Sequence, residues 1–167
     1  EYLVTKPFVI EESDILLVHA SLYPTWSTQE AIELSHWLSN KLSSSPTLFF
    51  QTLSAPKTLI WDDELTDSEK AFLLLQIFTR CRYFNPDGSM DLKSTASPEE
   101  SPRLIPWYEK QRAVSQPIVF GHWASLGGRT LPKDIHLDGG AVYGGKLLAH
   151  DLDTQQRWSQ QKVADDE

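Results

Sequence analysis

Hydrophobic positions change period along the chain, and each change predicts an element. Residues 7–11 (PFVIE) and 14–19 (DILLVH) are strand-like runs joined at Glu12-Ser13. The second is apolar at four consecutive positions, Ile15 to Val18, the pattern of a strand covered on both faces. From Ser27 the period lengthens to that of a helix. Ser27 and Glu30 form an S-x-x-E capping box, and Ala31, Leu34 and Leu38 share one face of a helix that fades near residues 41–45. Ser45-Pro46 reads as an N-cap followed by proline at the first helical position, opening a short apolar helix through Leu48, Phe49, Phe50 and Leu53. Thr66 and Glu69 form a second capping box. It opens a stronger helix with Ala71, Leu74, Leu75 and Phe78 as the buried stripe. This helix is expected to run to Arg80-Cys81-Arg82, whose cations suit the negative end of the helix dipole.

Beyond it the pattern returns to short strands. Tyr83-Phe84 and Met90 flank the turn signal Asn85-Pro86-Asp87-Gly88, predicting a hairpin. Residues 94–106 form a Ser/Pro/Glu loop, long enough to be a functional lid or a surface excursion. Residues 117–121, 135–138, 146–151 and 154–162 are strand-like, with glycine pairs at 127–128, 139–140 and 144–145. Strands, a helical middle and strands again describe a sheet core with a helical insertion, an α/β chain with one domain over residues 1–167. The insertion spans about residues 27–112.

Composition narrows the function classes. The formal net charge is -8, which argues against a general DNA or RNA binder. No run approaches the apolar length needed to span a bilayer, and one cysteine, Cys81, excludes an intrachain disulfide and fits a reducing compartment. A cytoplasmic location is the corresponding expectation. The charge is uneven. Residues 1–79 hold four basic and eleven acidic side chains, whereas residues 80–150 hold nine basic and seven acidic. An anionic substrate is therefore expected near Arg80, Arg82, Arg103, Arg112 and Arg129.

Two histidines share a context. His19 follows ILLV and His122 follows IVFG, so an apolar strand carries each imidazole to its C-terminal mouth, where sheet enzymes place ligands. Each reads either as an ordinary polar residue at a strand end or as one of a metal pair. His36 reads as structural or exposed, His136 as a surface residue alternating with Ile135 and Leu137, and His150 has no supporting context. The arginines beside Cys81 would depress its pKa, but no histidine lies near it in sequence. The run Asp62, Asp63, Glu64, Asp67 and Glu69 reads as a solvated face with capping acids. No phosphate-loop, H-E-x-x-H or G-x-S-x-G signature is present.

LLVHASLYPTW (16–26), FTRCRYFNPDGSMDL (78–92), SPEE…PWYE (98–109), IVFGHWASLGG (118–128) and LDGGAVYGG (137–145) together resemble symmetrical bis(5'-nucleosyl)-tetraphosphatases. These are bacterial diadenosine tetraphosphate hydrolases of the calcineurin-like metallophosphoesterase superfamily. The likeness runs in order from about residue 3 to 160 and concerns the family's C-terminal part. It implies one part of a four-layer αββα sandwich with a helical cap. It implies His19 and His122 as ligands of the second of two divalent metals, Mn²⁺ or Co²⁺, and places Arg80 and Arg82 near the phosphate-chain pocket. It also implies symmetrical cleavage of diadenosine tetraphosphate to two ADP.

The family's G-D-x-H/Q-G, G-D-x-x-x-R-G and G-N-H-D/E blocks, which hold the other ligands and the catalytic histidine, are absent from residues 1–167. The expectation is therefore an N-terminal half supplied by further sequence, or a partner standing in for it. The chain also departs from the pattern at Ser21, where the family has glycine, at Gly139-Gly140-Ala141, and at Tyr143 and Gln76. An alternative reading is a truncated or degenerate member acting as a non-catalytic interaction subunit. A third is a related phosphatase acting on another nucleotide or a phosphoprotein.

Overall fold

A computed structural model describes residues 3–163. Strands β1 (Val9–Glu12) and β2 (Ile15–Val18) form an antiparallel hairpin. Ser13 and Asp14 turn it at positive φ, 49° and 63°, the conformation that a two-residue hairpin loop demands. The next strand in the same sheet lies about a hundred residues further on. β6 (Ile118–Phe120) pairs in parallel with β2, and β7 (Ile135–His136) pairs in parallel with β6, giving the order β1-β2-β6-β7. Parallel pairing sends β2 and β6 out of the sheet at one edge, and this sets up the site.

The crossover between β2 and β6 holds helices α1 (Thr28–Ser44), α2 (Pro46–Thr52) and α3 (Asp67–Thr79). It also holds a small sheet of β3 (Tyr83–Phe84), β4 (Met90–Asp91) and β5 (Ile105–Pro106), ordered β4-β3-β5. Both capping boxes form as predicted, at Ser27/Glu30 and Thr66/Glu69. Ser35 on α1 accepts from the backbone amides of Phe8 and Val9, tying the helix to the start of β1. The predicted hairpin is the β3–β4 pair. A last hairpin, β8 (Lys146–His150) with β9 (Arg157–Gln161), closes the chain. Among the described residues, no helix is long and apolar enough to cross a membrane. The whole is a mixed α/β arrangement, the predicted class.

Two local expectations are corrected and a third is sharpened. First, α3 stops at Thr79, so Arg80 and Arg82 lie beyond the last turn. The Gln76 carbonyl accepts from the amides of both Arg80 and Cys81, which closes the helix early. The buried surface is also broader than the predicted stripe. Leu73 and Ile77 are fully buried, whereas Leu75 is only half-buried. Second, β2 is covered on one face only. Leu16 and Val18 are buried against the helices, whereas Ile15 and Leu17 are half-buried. On the uncovered face Phe8, Ile10, Leu17, Val119 and Leu137 line an open apolar trough of about 590 Å³, and Ile10 is 49% exposed. Third, the 94–106 loop is fastened down. Tyr83 Oη and Trp123 Nε1 both donate to the Ala96 carbonyl, Ser125 Oγ donates to Thr95, and Arg129 grips Glu99 through two bonds.

A candidate metal site

The backbone ladder continues past the two strands. Gly121 donates its amide to the His19 carbonyl at 3.0 Å, which holds the residues after β2 and β6 side by side. His19 and His122, 103 residues apart in sequence, meet there. His19 Nε2 lies 3.2 Å from His122 Nδ1, with ring centroids 5.0 Å apart and planes at 52°. His122 sits at φ 63°, in the left-handed region. That conformation costs a non-glycine residue on the order of 1–3 kcal/mol and persists only where neighbours enforce it. One enforcing contact is visible: Arg82 Nη2 donates to the His122 carbonyl at 2.8 Å.

The electrostatics keep both rings neutral. Burial holds the His19 imidazole below its usual range; Asp138 opposes this and Arg82 adds to it. His122 is brought down to about 4, chiefly by burial, then by the charge of Arg82 and by repulsion from His19 when that ring is protonated. A neutral imidazole is the form that binds metal. The donor set also fits in spacing. Metal–nitrogen bonds of about 2.0–2.1 Å put neighbouring nitrogens of a tetrahedral or octahedral centre roughly 2.9–3.4 Å apart. The 3.2 Å separation falls within that span. The pair is nevertheless short of ligands. Among the described residues, no group of three or more His, Cys, Asp or Glu side chains is placed to hold a metal ion.

The rings open into a cavity of about 890 Å³ that Arg82, Asp138, Tyr143 and Lys146 also line. Asp138 Oδ1 accepts from the Gly140 amide, and Tyr143 is 84% exposed at the rim. Of the arginines expected near an anionic ligand, Arg82 alone lines this cavity. Arg80 is exposed and donates to Gln76 Oε1 at 3.3 Å. Arg103 is exposed, Arg112 is locked to Asp134, and Arg129 to Glu99. The sequence reading passed over Asp138 and Lys146. Their signal was weak: an acid before two glycines, and a lysine after two more.

The glycine corners are turns and close approaches together. Gly140 and Gly144 lie at φ 71° and 87°. A Cβ on Gly139 would come within 2.3 Å of the Lys146 carbonyl oxygen, so the cavity wall admits no side chain there.

Ser21, where the resembled family has glycine, is fully buried. Its Oγ donates to the Ile77 carbonyl at 2.7 Å, and the Ala20 amide donates to Phe78. The loop after His19 thus caps the end of α3, and the serine hydroxyl is used. Ala20 and Ser21 are held by the helix that leads to Arg82.

Two further expectations fail. Cys81 is buried, and burial pushes its thiol up to about 12 rather than down, outweighing the arginine beside it. His136 is fully buried rather than at the surface. Its ring packs 5.0 Å from Phe120, and Arg157 from the β8–β9 hairpin closes the edge by donating to the His136 carbonyl. Neither His136 ring nitrogen has a hydrogen-bond partner among the described residues. Burial brings its pKa down to about 4, with Asp138 opposing and Arg157 and Arg129 adding.

A basic group depressed on folding leaves the unfolded chain binding the extra proton between about pH 6.5 and pH 4. Stability is therefore full above that window and falls as pH drops through it. Discounted for residual solvation, His136 is expected to account for about 2 kcal/mol of loss by pH 4. His122 titrates in the same window, so urea unfolding at pH 7 and 4.5 should be compared with His136→Phe. An unchanged pH dependence in that variant removes His136 as a source.

No family model matches the chain. Curated relatives do. It is 33% identical over 156 residues to the symmetrical bis(5'-nucleosyl)-tetraphosphatase of Janthinobacterium sp. (strain Marseille), covering 91% of this chain and 57% of that protein. Identity to the enzyme of the same name from Salmonella arizonae is 38% over 144 residues, covering 83% and 51%. The chain is homologous to these tetraphosphatases. It is also 35% identical over 153 residues to the Legionella pneumophila (strain Philadelphia 1) protein of that name, with 89% and 55% covered. The chain thus spans about half the length of the curated relatives it matches. In structure it resembles a crystal structure provisionally assigned as a diadenosine tetraphosphatase. The TM-score is 0.53 and the identity 19%, with 98% of this chain and 54% of that one covered. That likeness carries the fold alone.

Proposed function

We propose that residues 1–167 form the second-metal half of a phosphoric anhydride hydrolase that cleaves diadenosine tetraphosphate symmetrically to two ADP. The observation that carries this is the convergence of His19 and His122 at 3.2 Å, at two parallel strand mouths, in a cavity holding Arg82 and Lys146. In this reading His19 Nε2 and His122 Nδ1 hold one divalent metal, Mn²⁺ or Co²⁺. A metal pair supplies an activated water and stabilises the charge of an in-line displacement at phosphorus. The chain's own residues bind and orient. Both imidazoles are held below the usual histidine range, so at neutral pH each is the uncharged form, with one N–H and one nitrogen lone pair to offer a metal. Arg82 and Lys146 provide positive charge for a polyphosphate, and Arg80, on the adjacent exposed surface, extends it.

The remaining ligands and the catalytic group come, in this reading, from sequence outside residues 1–167 or from a partner chain. The apolar trough around Ile10, Leu17 and Val119 supports this, because such a face asks for a covering layer. The residues between β2 and β6 act as the cap that selects the nucleotide, and a cytoplasmic setting follows the nucleotide substrate. The shortage of a third donor among the described residues favours one competing reading, a non-catalytic interaction subunit.

The complete protein, assayed with diadenosine tetraphosphate, is expected to yield ADP as the sole product, to stop on chelation and to recover with Mn²⁺ or Co²⁺. No turnover at any added metal concentration discards the enzymatic reading in favour of the subunit.

A further inference from the structure

We infer that Arg82 is a positioning residue for the metal ligand His122, in addition to any contact it makes with a bound anion. The inference rests on the metal reading of the site above. Arg82 follows Cys81 where the chain leaves α3 for β3, and Trp107 donates its amide to the Arg82 carbonyl at 3.0 Å. Its backbone is therefore anchored between the helix end and the small sheet.

From that anchor the side chain reaches 40 residues along the sequence, and Nη2 donates to the His122 carbonyl at 2.8 Å. The accepting residue is the one non-glycine position of the site with a left-handed backbone, φ 63°. Rotating His122 back to an ordinary negative φ would move its carbonyl, breaking this bond, and would swing its ring away from His19. A guanidinium is suited to the task. It stays charged, its planar fork fixes direction, and it can spare one nitrogen for a backbone carbonyl while others face the cavity.

The rest of the guanidinium is lightly engaged. Nη1 reaches the Arg80 carbonyl only at 3.5 Å, and the buried Nε has no hydrogen-bond partner among the described residues. Among the described residues, Arg82 makes no carboxylate ion pair of the kind that Arg112 and Arg129 make. Its one short bond is to the backbone of the ligand. An anion in the cavity that pulled on this guanidinium would pull on His122 as well, so phosphate occupancy and metal geometry are coupled through one side chain.

The test uses the complete protein with Arg82→Ala and Arg82→Lys, first checked for an unchanged Tm, and reads Mn²⁺ affinity by calorimetry. A residue that orients a metal ligand typically costs 10–100-fold in affinity when removed. Arg82→Ala is expected to lose about that much, with kcat recovering as Mn²⁺ is raised, and Arg82→Lys to fall between. Wild-type Mn²⁺ affinity in both variants, with only KM for the dinucleotide raised, overturns the inference and leaves Arg82 as a substrate contact. If wild type itself binds no Mn²⁺, the metal reading fails separately. A crystal structure of Arg82→Ala then decides: His122 relaxed to negative φ supports the positioning role, and an unmoved His122 overturns it. If Arg82→Ala does not fold, Arg82→Lys carries the same comparison.

Discussion

Asp134→Ala is expected to destabilise the complete protein by about 3–5 kcal/mol, because it strands a buried arginine. Asp134 is 4% exposed and takes both terminal nitrogens of Arg112, at 2.7 and 2.8 Å. Its Oδ1 also accepts from the Ile118 amide at 2.9 Å, the first residue of β6. Alanine would leave an arginine whose side chain is only 10% exposed without its counter-charge, and a strand amide without an acceptor. Urea unfolding of the variant measures the loss.

The double change Arg112→Met with Asp134→Leu is the informative control. Replacing both charges with apolar groups should cost less than removing one, since the orphaned charge is gone and only the Ile118 amide still lacks its acceptor. A loss below about 1 kcal/mol in Asp134→Ala would place this pair with ordinary surface pairs. The consequence reaches the site, because β6 carries His122 two residues past its end. A loosened β6 start is expected to lower metal affinity along with stability.

The second large effect is on activity. His19→Ala and His122→Ala, each in the complete protein, are expected to lower kcat by more than the 10–100-fold typical of a residue that merely supports a ligand. Groups that act as a unit are strongly non-additive, so the double variant should be little worse than the poorer single one. Metal titrations of the single variants provide the check. If either variant retains wild-type turnover and metal affinity, the shared-cation geometry is not the working site. If the losses multiply, the two imidazoles act on separate steps.

How much of this was legible beforehand differs by element. Both capping boxes and the Asn85–Gly88 hairpin were readable because their chemistry is local: a hydroxyl, a carboxylate and a few amides within four residues. The strand-mouth placement of His19 and His122 was readable for the same reason, since an apolar run ends at or just before each. Where α3 ends was not, because Ala20 and Ser21, more than fifty residues upstream, cap its last carbonyls. His136 was misjudged because alternation says which way a side chain points but not whether a later hairpin covers it.

Local spacing by itself determined the helix starts, the turn residues and most of the strands. It left His19 and His122 open between ordinary strand-end residues and a metal pair, and the family resemblance alone implied that they are ligands. Only the tertiary structure decided that those imidazoles face each other at 3.2 Å, that Arg82 holds one of them, and that Arg112 and Arg129 are taken by carboxylates. The division is physical. Caps and turns are settled by groups a few bonds apart, whereas the site depends on parallel pairing between strands a hundred residues apart, which no short stretch of chain encodes.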